Sequence, residues 1–245
     1  MRFLLTKRWI GFGAFVVVLA VLCALLGRWQ FHRAEERDAM NEQVRAHVAA
    51  DPVPIDEVVP DASAWPADAE WTRVVATGTF DTTRTVTVRY LKRGGSPGVD
   101  VVVPFMLDSG GAILVDAGWF ATQNSGERPS TLPTLPEGRT TIEGWLRANS
   151  DAGDVAVVPD QGQVRAISSA AWDTPYGLRE GYLNLQSPQI EGLAPEPLPD
   201  LDTARNISYG LQWWFFAILA MGGFGWFIRA ERKQNADQAS ATMSA

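Results

Sequence analysis

Cysteine and histidine are almost missing from this chain. One cysteine, Cys23, and two histidines, His32 and His47, occur in 245 residues. A single thiol excludes an internal disulfide and a thiolate metal site. With both histidines before residue 50, a Ser-His-Asp constellation has no imidazole to draw on in the rest of the chain. No HExxH, CxxC or GxxxxGK[ST] string occurs, and no GxGxxG sits between a strand and a helix. Acidic residues are the exception to this poverty. They number 28, of which 26 lie between residues 28 and 210. At that density chance supplies carboxylate pairs, so a solvated surface is their first reading and an enzyme is not expected.

Charge itself is absent from two long stretches. Residues 9–27, WIGFGAFVVVLAVLCALLG, and 211–228, LQWWFFAILAMGGFGWFI, hold no Asp, Glu, Lys or Arg. Each is long enough to cross a hydrocarbon core of about 30 Å as a helix rising about 1.5 Å per residue. Two transmembrane helices are therefore expected. A cleaved secretory signal competes for the first run, but no A-x-A closes it. Leu22 before Cys23 is also large for a lipoprotein cleavage site, so an uncleaved anchor is favoured.

Arg2, Lys7 and Arg8 precede the first run, and Arg229, Arg232 and Lys233 follow the second, which places residues 1–8 and 229–245 in the cytoplasm of a two-pass cell-membrane protein. Arg28, Arg33 and Arg37 crowd the other end of the first run, so the second run decides the orientation better. The central region is then extracytoplasmic. Of the chain's net charge of −7, the tails contribute a positive balance, and residues 28–210 carry a surplus of eleven negative charges. Such a domain repels phosphate, and nucleic acid is not an expected partner. Trp9 and Trp29, and Tyr209 with Trp213 and Trp226, bracket the two runs at headgroup level, where membrane lipid is the natural contact. Ala20 and Ala24, and Gly222, Gly223 and Gly225, offer small faces for packing on each other or on a partner.

Residues 28–51 lack Gly and Pro and predict a membrane-proximal helix that continues the first span, with Met40, Val44 and Val48 as a narrow apolar stripe and Pro52 and Pro54 as its stop. Residues 52–70 read as a connector. From Trp71 the period shifts to that of strands: WTRVVATGTF, RTVTVRYL, VDVVVPFML, AILVDAGWF and RTTIEGWLR, separated by GGSPG, DSGG and a long loop at 121–138. DVAVV, QVRAIS and GYLNLQ are weaker strand candidates, and 188–202 reads as a loop leading back to the membrane. The expected fold is thus two terminal transmembrane helices flanking a mainly-β domain at 52–210, an antiparallel sheet or partly open barrel.

Three strings carry identity: LGRWQFHR at 26–33, VDAGWF at 115–120 and NISYGLQWWFFA at 206–217. Together with the layout they resemble the SURF1 family, called Shy1 in yeast. Its LGxWQxxR pattern falls on Leu26, Gly27, Trp29, Gln30 and Arg33; its G-x-F strand on Gly78 and Phe80; and its PG and Pro-Phe on Pro97, Gly98, Pro104 and Phe105. The strand ending in GW falls on Gly118 and Trp119, the G-x-L strand on Gly144 and Leu146, and the SYAxQW string on Ser208, Tyr209, Gln212 and Trp213. The resemblance implies a part in the biogenesis of aa3-type cytochrome c oxidase, around insertion of haem a into subunit I, with oxidase subunits or assembly intermediates as partners.

Two departures stand against that pattern. Where the family often has a His ahead of SYA, a plausible haem ligand, this chain has Asn206, and where it often has an Arg beside the GW glycine this chain has Ala117. His32, one turn past Trp29, is then the remaining candidate for haem iron, and Arg28 and Arg33 for its propionates or for lipid phosphate. The alternative is a stable accessory subunit of the respiratory-chain oxidase or its supercomplex, without haem handling.

Overall fold

A computed structural model describes residues 6–60 and 64–243, with side chains as far as residue 237; Arg2 lies outside the described residues. The chain divides into two compact units, Met1–Glu42 with Asp200–Ala245, and Gln43–Pro199.

The first unit is built on two long helices, α1 (Lys7–Ala49) and α4 (Ala204–Met243). Both contain windows long and apolar enough to cross a membrane. Their large apolar side chains lie exposed, among them Ile10, Phe15, Leu22 and Leu25 on α1 and Leu211, Phe215, Ile218 and Leu219 on α4. An apolar surface of that extent is stable against lipid tails and not against water. At about 1.5 Å per residue α1 is about 65 Å long, roughly twice a hydrocarbon core, so its polar C-terminal half projects beyond the lipid. There the buried Asn41 donates from Nδ2 to the Leu201 carbonyl at 2.9 Å, which satisfies a polar group on the inner side of the helix.

The second unit is mainly β. Its strands are β1 (Val53–Pro54), β2 (Arg73–Phe80), β3 (Val86–Arg93), β4 (Ser96–Leu107), β5 (Ala112–Ala121), β6 (Thr140–Arg147), β7 (Gln163–Val164) and β8 (Leu178–Ser187), with two one-turn helices, α2 (Ile55–Val58) and α3 (Asp154–Val157). The sheet order is β1-β2-β6-β8-β5-β4-β3-β7, and β2 also pairs with β4 through Gly78–Leu107, Thr79–Met106 and Phe80–Phe105. That extra pairing closes β2, β6, β8, β5 and β4 into a five-stranded barrel. Closure leaves no open edge among these five strands. A ring of five strands cannot alternate direction all the way round, and the one parallel pair is β5–β8.

The barrel interior is filled by alternate residues of each strand: Val74 and Ala76, Val101, Val103 and Phe105, Ile113 and Val115, Ile142 and Leu146, Leu183 and Leu185. The intervening Val102 and Leu114 meet Val86, Val88, Val164 and Ile167 on the outer side in a second cluster. Burial on both faces explains why VDVVVPFML reads as a nearly continuous apolar run instead of alternating.

Of the weaker strand candidates GYLNLQ lies within β8, and the other two need correction. DVAVV is the single-turn α3, not a strand: the Val158 amide donates to the Asp154 carbonyl at 2.9 Å, with Val157 buried and Val155 exposed. A short apolar run does not distinguish the two forms by period. QVRAIS contributes only the two residues of β7. The connector at 52–70 carries β1 and α2, which insert Ile55 and Val59 into the core. GGSPG is a two-residue Gly94–Gly95 turn, since Arg93 pairs directly with Ser96.

The α2 segment is held by the buried Arg179 of β8. Its Nη1 donates to the Val59 carbonyl at 2.8 Å, and its Nη2 to Asp56 Oδ1 at 2.5 Å. Partial burial of Asp56 opposes ionisation, but hydrogen bonds from Ser109 and Arg179 and the Arg179 charge outweigh it, and the carboxyl lies below its usual range. A depressed carboxylate adds stability above its unfolded value of about 3.9 and loses it as pH falls through the folded value. Asp56→Asn should therefore lower the melting temperature of the purified protein at pH 7, and the gap from wild type should narrow below about pH 4. A gap independent of pH would show that the charge of Asp56 contributes nothing.

Candidate functional site

The membrane-border motifs place Gly27 and Gly210 where α1 and α4 are in contact. Gly27 is buried, and a Cβ placed on it would come within 2.3 Å of Trp214 Cδ1 and 3.1 Å of the Gly210 carbonyl. No larger residue leaves room for the indole. Across the pair, a Cβ on Gly210 would stand 2.9 Å from the Phe31 ring. The arrangement is reciprocal: Gly27 and Phe31 are four residues apart on α1, Gly210 and Trp214 four apart on α4, and each glycine receives the other helix's aromatic ring. The two rings touch with centroids 4.8 Å apart, and Trp214 Nε1 donates to the Ala24 carbonyl at 3.4 Å. A second aromatic cluster joins the start of α1 to the middle of α4, with Phe224 against Trp9, Phe12 and the Gly13 position.

Beside this lock lies a groove of about 680 Å³ lined by Leu25, Arg28, Trp29, Phe31, His32, Glu35 and Trp214. It brings together Arg28 and His32, while Arg33 does not line it. His32 is largely exposed, its Nδ1 lying 3.7 Å from Glu35 and its Nε2 3.4 Å from Glu36, the geometry of surface pairs one turn apart. Trp29 and Tyr209 are exposed, Ser208 and Gln212 also face outward, and Gln30 and Asn206 are half-buried. Trp213 packs edge-on against Phe216, its own neighbour on α4. Among the described residues, no group lies within 4 Å of a Cβ placed on Gly222, Gly223 or Gly225, so none of the three receives a side chain of α1 as Gly27 receives Trp214. His47 belongs to the other unit, where its Nδ1 lies 2.9 Å from the Glu70 carbonyl, a contact in which the ring nitrogen must donate.

In the β unit, Gly118 and Trp119 organise a buried charged cluster. Gly118 has φ of +128°, and a Cβ there would lie 2.7 Å from the Ala194 carbonyl, so both conformation and space demand glycine. Trp119 pairs with Ala194 through two backbone hydrogen bonds of 2.7 and 2.8 Å, which draws the segment after β8 across the barrel. That segment brings Glu196 beside Arg93, Asp100 and Asp116. Arg93 reaches Glu196 and, at 3.3 Å, Asp100; its other terminal nitrogen donates to the Pro195 carbonyl at 2.9 Å. Asp116 accepts from the Gly118 amide at 3.1 Å. Burial pushes the Asp100 carboxyl up to about 7, against the pull of Arg93 and with a further push from Glu196. Burial, then the neighbouring Asp100 and Glu196, raises Asp116 well above its ordinary value.

Sequence reasoning had assigned the acids to the surface and named neither this cluster nor Phe31, Gly210 and Trp214 as contacts. Signals were present. Asp100 and Asp116 are single charges within apolar strand runs, and the Gly-x-x-x-aromatic spacing occurs in both membrane-border strings.

The lock makes a quantitative claim. Gly27→Ala should destabilise the detergent-purified protein by about 1–3 kcal/mol through overpacking. Trp214→Ala in the same chain should recover part of that loss, since residues in contact couple by about 0.5–3 kcal/mol in a double-mutant cycle. Strict additivity of the two changes would show that they do not meet.

Comparison with known proteins follows the same residues. SURF1-like proteins of Mycobacterium bovis and Mycobacterium tuberculosis are 33% identical over 252 aligned residues, covering 96% of this chain and 90% of theirs. The SURF1 family profile matches residues 17–218, a span that takes in the Gly27 and Gly210 lock and the whole β unit with its Gly118–Trp119 pair. The chain therefore belongs to the SURF1 family.

Proposed function

We propose that this protein assists the biogenesis of an aa3-type cytochrome c oxidase at the stage of haem a insertion into subunit I, as a two-pass cell-membrane protein with cytoplasmic termini and an extracytoplasmic β domain. The observation that carries the reading is the family match across both helices and the barrel together. It acts by holding partners and not by turnover, in keeping with the scarcity of catalytic side chains in its sequence. Oxidase subunits or assembly intermediates are the partners, and lipid headgroups meet the exposed Trp29, Tyr209 and Arg33 at the border.

Haem a is in this reading a cargo. The groove at the lock has a donor set that suits it: an imidazole in His32, a guanidinium in Arg28 and the rings of Trp29, Phe31 and Trp214. His32 would face the iron and Arg28 a propionate, contacts of the kind these groups make elsewhere. The exposure of His32 suits a passing cargo better than a resident one. Asn206, in place of the family's usual His, favours a second reading, a stable accessory subunit of the oxidase or its supercomplex without haem handling.

Deleting the gene should lower the haem a absorption of isolated membranes, and the wild-type gene should restore it. Purified oxidase should lack the protein. Unchanged haem a after deletion sinks the assembly reading, whereas a stoichiometric band in the mature enzyme supports the accessory subunit. If His32→Ala leaves haem a binding by the isolated protein unchanged in absorption spectra, the groove assignment fails.

A further inference from the structure

The parallel β5–β8 pairing has a chemical consequence on the outer face of the barrel. Asp116 and Asn184 are register partners, so their side chains leave neighbouring strands on the same side. Asp100 stands on the adjacent β4, opposite Trp119, and Glu196 arrives on the segment pinned by the Trp119–Ala194 bridge. One carboxylate oxygen from each of Asp100, Asp116 and Glu196 lies within 4.8 Å of the others.

Asn184 is 1% exposed, and its Oδ1 has no hydrogen-bond partner among the described residues. A buried carbonyl oxygen left without a donor is costly, and its neighbour Asp116 offers another acceptor when ionised. Arg93 serves the outer half of the group, Asp100 and Glu196. For Asp116 the hydrogen bond in the structure is the Gly118 amide. Three acids share one guanidinium, which serves Asp100 and Glu196, and the β5–β8 register brings the unpartnered Asn184 amide out on the same side as Asp116.

We propose that Asp100, Asp116, Glu196 and Asn184 Oδ1 form a calcium site on the outer face of the barrel. The donor set is all oxygen, which selects a hard cation over zinc or copper. Hydration selects within the hard cations: magnesium keeps several waters and uses one or two carboxylates, whereas calcium takes many carboxylate and amide-carbonyl oxygens at once. Three carboxylate oxygens within 4.8 Å of one another, with an amide side chain on the neighbouring strand, are the donor set calcium takes. Carboxylates that bind in bidentate fashion, with water, complete the six to eight oxygens calcium takes. The ion ties β4, β5 and β8 to the segment after β8, adding to the two-bond bridge at Trp119, the Arg93 contacts to Pro195 and Glu196, and the Gln186 bond to the Glu196 carbonyl. Arg93 competes with the ion for Asp100 and Glu196 and so sets the affinity.

The test uses the full-length protein in detergent, stripped with EDTA and titrated with CaCl₂. One calcium per chain should bind by calorimetry and raise the melting temperature, as any ligand of the folded state does. Terbium should occupy the same site and luminesce on excitation of the nearby Trp119, and calcium should quench that signal by displacing it. Asp116→Asn and Asn184→Leu should each weaken calcium binding at least tenfold. Should either variant fail to fold, Arg93→Gln supplies the independent arm: it leaves all the oxygen donors and removes the competitor, so calcium should bind more tightly and stabilise more. The proposal is overturned if neither wild type nor Arg93→Gln binds calcium or terbium. It is equally overturned if Asp116→Asn and Asn184→Leu bind as wild type does, which would place the ions on exposed acids, or if magnesium binds in preference at equal concentration.

Discussion

Two glycines and two aromatic rings set the geometry of the helix pair. In lipid there is no hydrophobic gain from bringing helices together, because the tails are as apolar as the side chains; association rests on close packing and on the few hydrogen bonds available. Gly27 and Gly210 provide the notches, Trp214 and Phe31 fill them, and the indole nitrogen finds the Ala24 carbonyl. The ring that fills the notch of one helix is carried by the other, and the two rings touch. The same lock opens the groove beside it, because Trp214 and Phe31 are at once the packing elements and two of its walls.

In the β unit the controlling constraint is topological. A closed ring with an odd number of strands must contain a parallel pair, and here it is β5 with β8. Antiparallel neighbours connect by short turns, as β4 and β5 do through residues 108–111, whereas a parallel pair needs a long crossover. The crossover from β5 to β8 carries β6, α3 and β7. Placing β8 beside β5 is what sets Asn184 next to Asp116, and the bridge from Trp119 to Ala194 is what adds Glu196. The charged cluster is thus a product of chain path, assembled from residues that no local pattern links.

This difference decides how much could be read from the sequence. The two membrane helices were legible because absence of charge over a span is a local property, and the five main strands because their β-branched, apolar runs and flanking turn residues are local too. The family's GW pair was legible as a motif, but its purpose was not: Gly118 is required by the Ala194 carbonyl, which lies far along the chain. The choice between Trp213 and Trp214 shows the same limit. Both are tryptophans in one string, and only the phase of α4 against α1 makes Trp214 the residue on Gly27. DVAVV failed for a different reason, since five residues are too few for a period to decide between turn and strand. The acids at 100 and 116 were hidden by number, being two among 26 in the region between residues 28 and 210.

The family's motif residues fall into those that packing explains and those that it does not. Gly27 is accounted for by the indole of Trp214, Gly118 by the Ala194 carbonyl, and Trp119 by its seat over Gly98 and the Arg93 guanidinium 5.8 Å from its ring. Trp29 and Tyr209 are not explained this way. Trp29 is 56% exposed and Tyr209 49%, on helices whose mutual contacts run through other residues. Exposed aromatic rings at a membrane border gain their stability from the headgroup region, and a protein or cargo arriving at that level meets them first. Arg28 and His32 share that border and line the groove with Trp29. The residues fixed by sterics therefore hold the frame, and under the proposed function recognition falls to the ones that the frame leaves exposed.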